Sequence, residues 1–147
     1  MTVDDIAKNI DKKKQTDAAI LDFAKAFDKV PHQRLLLKLH YYGLNEQTIK
    51  WINNFLSFRH QRVIIDGTES NYLPVTSGVP QGTVLGPILF LIFINDLPSK
   101  ISSNIRLFAD DCLLYNTIES DMDHTKLQTD LNQLCSWTDT WQTVSGV

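Results

Sequence analysis

The chain has 147 residues, 43% hydrophobic and 10% aromatic, enough apolar material for one domain with a core and too much for a disordered segment. Its formal net charge of -3 gives no overall attraction for a polyanion, so composition alone does not point to nucleic acid. Lysine and arginine are nevertheless concentrated in the first half, at Lys12 to Lys14, Arg34, Lys38, Lys50, Arg59 and Arg62.

Val3, Ile6, Ala7 and Ile10 follow a helical period, which predicts an amphipathic helix over residues 3–14 that ends in a solvated lysine cluster. Residues 18–23 read as a buried strand with one acid, Asp22, at its far end. Pro31 can open a helix whose stripe is Leu35, Leu36, Leu39, His40 and Tyr42 and which Gly43 closes. Asn45 caps a second helix carrying Ile49, Trp51, Ile52 and Phe55. Residues 59–66 and 70–76 predict two strands of a hairpin, with Asp66-Gly67 as the turn.

After the Gly/Pro-rich stretch 77–87, the apolar run from Val84 to Leu97 predicts a buried helix. Gly86, Pro87 and Asp96 make it too short and too interrupted to span a bilayer. A second hairpin follows around Ala109-Asp110, then a long amphipathic helix over 121–142 with Leu127, Leu131, Leu134 and Trp141 on one face. This order predicts an α+β fold, helices packed on an antiparallel sheet. The polar run from Thr2 to Gln15 lacks the apolar core of a signal peptide, which makes an intracellular setting the default expectation. Cys112 and Cys135 have no CxxC spacing and are expected to be free, packed thiols. His32, His40, His60 and His124 are scattered and expected to be structural.

Chemistry is signalled by Asp110-Asp111, adjacent carboxylates inside the apolar segment from Ile105 to Tyr115. Burying both requires a neutralising cation. Asp22 is the other acid in a strongly apolar, strand-like segment, and a fold pairing the two strands would gather three hard oxygen ligands suited to Mg²⁺ and phosphoryl transfer. The loop from Ser77 to Pro87 has three glycines that permit close backbone approach and a single amide, Gln81; its spacing suits equally a tight entry into a helix and a phosphate-facing loop.

Three segments carry a resemblance: Asp22-Phe23-Ala24-Lys25-Ala26-Phe27-Asp28, Gly78-Val79-Pro80-Gln81-Gly82 through Gly86-Pro87, and Phe108-Ala109-Asp110-Asp111. In order and spacing they resemble polymerase motifs A, B and C of the reverse transcriptases of non-LTR (LINE-type) retrotransposons, over about Thr2 to Trp141. The resemblance implies a palm-like antiparallel sheet with helices packed on one face, part of a right-hand polymerase fold. It implies an RNA-directed DNA polymerase transferring dNTPs onto a primer 3′-OH on an RNA template. Asp22, Asp110 and Asp111 would be the catalytic acids holding two Mg²⁺ ions, or Mn²⁺ in their place, with the Phe23 carbonyl as a further metal ligand. Phe27 matches the gate that excludes a ribose 2′-hydroxyl, while Gln81 and Gly82 match residues of the nucleotide pocket. Asp28 is expected to be a structural capping or ion-pair residue. Motif C has Phe108 where many reverse transcriptases carry tyrosine, a substitution common in the non-LTR group.

By the same resemblance, residues 1–147 are expected to form a single partial domain, a palm core lacking fingers and thumb, cut from a longer polyprotein. Its partners would be RNA template, DNA primer and dNTP, with no membrane; the parent element would work in nucleus or cytoplasm. The alternatives are a catalytically silent element-derived domain that binds RNA or protein, and a different Mg²⁺-dependent phosphoryl-transfer enzyme. A two-residue turn at Ala109-Asp110 also predicts positive φ at Ala109.

Overall fold

The computed structural model describes residues 2–142, with side chains from 3 to 141. In chain order the elements are α1 (Thr2–Asp11), β1 (Gln15–Asp22), α2 (His32–Tyr41), α3 (Glu46–Leu56), β2 (His60–Gln61), β3 (Ile64–Ile65), β4 (Thr68–Glu69), β5 (Leu73–Pro74), α4 (Leu85–Ile94), a 3-10 turn (Leu97–Lys100), β6 (Asn104–Phe108), β7 (Asp111–Ile118) and α5 (Asp121–Gln142). They fall into two compact units, one running to Ala24 and resuming at Ile94–Trp141, the other Lys25–Phe93. No helix among the described residues is long and apolar enough to cross a membrane.

The first unit is built on an antiparallel sheet of order β1-β7-β6. Gln15 lies opposite Ile118 and Asp22 opposite Asp111 on one side of β7; Asn104 lies opposite Tyr115 and Phe108 opposite Asp111 on the other. Strand alternation therefore sends Asp22, Phe108 and Asp111 to one face and Leu21, Leu107 and Cys112 to the other. Cys112 and Leu114 are fully buried on the second face, where α5 brings His124 to Asp17 at 3.1 Å. Phe23, just past β1, packs on Trp137 of α5 with ring centres 6.3 Å apart. Over the far end of the first face, α1 places Asp5 to accept from the Tyr115 hydroxyl at 2.8 Å and Asn9 to donate to Thr16 and Thr117.

Near the hairpin tip that face is open: Ile20 is 82% exposed and Phe108 81%. Strand β1 is thus half-buried rather than buried, because a helix covers only one of its sides there. Helix α1 also stops short of the lysine cluster, since Lys13 takes φ +54° and turns the chain into β1.

Helix α5 begins with half of a capping box, because Asp123 reaches back to Ser120 while its own N–H bonds Ser120 O rather than the hydroxyl. Asp123 accepts from the backbone N–H groups of Glu119 and Ser120 and from the Ser120 hydroxyl, which holds its carboxyl below the usual range. Its buried stripe is Leu127, Asp130, Leu134 and Trp137. Asp130 accepts from the Ser102 N–H at 3.0 Å, the Ser103 N–H at 2.7 Å and the Ser102 hydroxyl, tying α5 to the chain entering β6. Burial alone would raise its pKa, yet these donors outweigh it and the carboxyl lies below its ordinary value. Of the cysteines, Cys112 is a packed thiol, pushed up to about 11 by burial, whereas Cys135 is exposed.

The second unit follows its local signals closely. Gly43 (φ +78°) ends α2 with its N–H on His40 O and the Leu44 N–H on Leu39 O, a Schellman motif; Asn45 caps α3 by accepting from the Thr48 N–H at 2.8 Å. Asp66 and Gly67 both have positive φ, as a type I′ hairpin turn requires. The two long strands expected there are instead four short ones, because the return arm carries an extra residue between its paired stretches. Ser70 bridges the gap, donating its N–H to Val63 O and accepting the Val63 N–H on its hydroxyl, both at 2.9 Å. In α4, Leu89, Phe90 and Phe93 are buried while Ile88 and Leu91 are about half exposed, so this helix is buried on one side only. The buried Lys38 amine donates to Phe93 O at 2.6 Å and lies 4.8 Å from the centre of the Phe93 ring.

Asp130→Asn is expected to cost about 2 kcal/mol at neutral pH, measured by urea unfolding, since an amide presents N–H where the site offers only donors. A depressed pKa stabilises the fold above the unfolded-state value, and that stability is lost as pH falls through the folded value; the gap between variant and parent therefore narrows in acid. Phe58, 89% exposed at φ +59°, carries a left-handed strain that Asn tolerates better. Phe58→Asn should raise the urea midpoint by about 1 kcal/mol equivalent.

Candidate active site

The β1–β7 register brings Asp22 directly across from Asp111, and Asp110 occupies the adjoining turn. Ala109 has φ +52° and Asp110 does not share the positive φ, the pattern of a hairpin whose first central residue is left-handed. The tip is tied to motif A by the Phe23 N–H, which donates to Asp110 O at 3.3 Å. Asp22 and Asp111 are exposed and Asp110 is half-buried, so the acid pair is not buried as the apolar sequence around it suggests. Strand alternation puts the apolar neighbours to work elsewhere, and the acids sit at the wet end of the hairpin. Among the described residues no three His, Cys, Asp or Glu side chains stand close enough together to hold a metal ion. Asp22, Asp110 and Asp111 are neighbours through the backbone without forming a closed ligand set.

The second unit contains Phe27, Asp28, Gln81 and Gly82. Phe27 is half-buried with its ring centre 4.6 Å from that of Phe90. The loop before α4 is fastened to the segment after motif A: the Val79 N–H donates to Phe27 O at 2.7 Å and the Gly78 N–H to Val30 O at 2.8 Å. His32 Nε2 meets Gly78 O at 2.8 Å, a further tie on this loop. Gly78 and Gly86 allow no side chain, since a Cβ would lie 2.7 Å from Asp28 O and 2.1 Å from Pro80 O respectively. Gly82 differs: among the described residues nothing lies within 4 Å of the place of its Cβ, and its need is conformational, at φ +78°. Charge is shared unevenly. Lys25–Phe93 holds seven Lys and Arg against four Asp and Glu, whereas the unit with the acid pair holds seven against thirteen.

An antiparallel sheet whose hairpin tip presents two acids, with a third in register on the neighbouring strand, is the palm-like arrangement that the motif resemblance implies. The chain belongs to the reverse transcriptase (RNA-dependent DNA polymerase) family, whose pattern matches residues 1–143. It is 32% identical over 141 residues to the RNA-directed DNA polymerase from mobile element jockey of Drosophila melanogaster, covering 90% of this chain and 15% of that protein. The probable RNA-directed DNA polymerase from transposon BS of the same species is 30% identical over 151 residues, covering 92% and 16%. A Pol polyprotein from the type-1 retrotransposable element R2 of Popillia japonica is 26% identical over 124 residues, covering 76% and 20%. These relatives confirm the resemblance to non-LTR elements, and the chain spans only about 15 to 20% of their length.

Ala109→Gly should stabilise the chain by about 0.5–1 kcal/mol, because relief of the left-handed strain exceeds glycine's added entropy. A lower thermal midpoint for this variant would contradict the strain assigned to the tip.

Proposed function

We propose that the chain is the palm core of an RNA-directed DNA polymerase that adds dNTPs to a DNA primer 3′-OH on an RNA template, within a longer polyprotein that supplies fingers and thumb. The observation that carries this reading is the register of Asp22 against Asp111, with Asp110 held beside them by the Phe23 N–H. The donors fit Mg²⁺ in kind, being hard oxygens on an exposed hairpin tip with room for water and phosphate.

In this reading Asp22, Asp110 and Asp111 hold two Mg²⁺ ions, with Mn²⁺ able to replace them, and the Phe23 carbonyl adds a ligand. The chemistry supplied when they are bound is activation of the primer hydroxyl and stabilisation of the leaving pyrophosphate oxygen. The chain's own residues set the geometry: the strained turn fixes Asp110, and the β-ladder fixes Asp22 and Asp111. Phe27 acts as the sugar gate, its ring backed by Phe90, so that a 2′-hydroxyl meets a wall that does not yield. Gln81 and Gly82 belong to the nucleotide pocket. Retention of all three acids supports this reading over a silent binding domain.

Primer extension on an RNA template, by the full-length polypeptide bearing this palm, tests it. Asp110→Asn is expected to lower incorporation about a thousandfold, equivalent to about 4 kcal/mol. Titrating the purified chain with Mn²⁺ should broaden the Phe23 and Asp110 amide resonances, and Asp22→Asn should weaken that effect. Extension unaffected by Asp110→Asn would end the proposal.

A further inference from the structure

Asp28 closes motif A, and its side chain meets Gln81, which donates from Nε2 to Asp28 Oδ1 at 3.4 Å. The backbone prevents the two from drifting apart. Asp28 O accepts the Ser77 hydroxyl at 2.8 Å, the Gly78 N–H is bonded to Val30 O and the Val79 N–H to Phe27 O. Gly78 itself lies against the Asp28 backbone with no space for a Cβ. Asp28 does not cap α2, whose N-cap is Pro31; its own N–H is spent on Lys25 O in the turn that Lys25 makes at φ +55°. Both side chains are exposed, and their contact therefore contributes little to stability.

The value of the contact is orientational. An ionised carboxylate only accepts hydrogen bonds, whereas a glutamine amide has a donor end and an acceptor end. Asp28 therefore takes the NH₂ end of the amide, and Oε1 is the end left to accept from another donor. We infer that Asp28 is a positioning residue which fixes the Gln81 amide through this contact, so that Gln81 offers a carbonyl oxygen to its ligand. Such a site favours a hydroxyl or amino donor, as on the sugar or base of a nucleotide, over a phosphate oxygen. This inference rests on the reading above, in which Gln81 touches the incoming nucleotide.

The test is steady-state primer extension by the full-length polypeptide, paired with NMR of the purified chain. Asp28→Ala is expected to raise KM for dNTP about tenfold with kcat within about twofold, and Asp28→Glu, which keeps the acceptor, to restore most of it. In a Gln81→Ala background Asp28→Ala should add nothing, since the aspartate acts through the amide. In the purified chain, the Gln81 side-chain amide resonances should move with Asp28→Ala and stay near their parent positions with Asp28→Glu. If Gln81→Ala raises KM and Asp28→Ala does not, the positioning role is wrong while the nucleotide role of Gln81 stands. If Gln81→Ala leaves KM unchanged, the reading beneath the inference falls and the inference with it. Thermal melts of each variant separate a folding defect from either outcome, and a KM effect that tracks loss of folded protein would overturn the positioning role.

Discussion

The β1–β7 ladder is the constraint on which the rest depends. Side chains alternate with a period of two, so a slip of one residue would send Asp22 to the covered face and bring Leu21 or Phe23 opposite Asp111. The register is pinned from both ends. At one end the Phe23 N–H reaches Asp110 O, and at the other Asn9 of α1 bonds both Thr16 and Thr117, which face each other across the ladder. Burial of Cys112 and Leu114 on the opposite face supplies the free energy that these polar links direct.

In the second unit a different device performs the equivalent task. The loop before α4 has no partner strand of its own length, and it is held by single hydrogen bonds to the turn after motif A and by glycines at points where backbone meets backbone. Each bond is modest, about 1 kcal/mol net, but the close approach at Gly78 and Gly86 admits only one arrangement. Positions of this kind specify geometry more than they contribute stability.

Elements governed by local chemistry were legible in the sequence. Asn45, Gly43 and Asp66-Gly67 each do what their residue type favours, and the left-handed Ala109 follows from a two-residue turn. Exposure is not legible, because it depends on which face of a strand a helix covers; the apolar segments around Asp22, Asp111 and Ile20 predict an interior, and all three lie in solvent. Asp130 falls three residues after Leu127 and four before Leu134, squarely on the helical stripe, yet apolar periodicity does not mark an acid that the fold buries and satisfies. Lys38, three residues after Leu35, is the same case in α2. The motif resemblance supplied residue roles that periodicity could not, and left open the Asp28–Gln81 contact, which arises only when two loops meet.

Cys112 follows Asp111 directly, and a sulfur beside a carboxylate would put a soft ligand next to a hard one if both faced the same way. The pleat turns that sulfur to the opposite side of the sheet, where it is fully enclosed. One peptide unit thus separates an exposed carboxylate from a buried sulfur. Adjacent residues of one strand are thereby kept chemically apart, the carboxylate in solvent and the sulfur within the core.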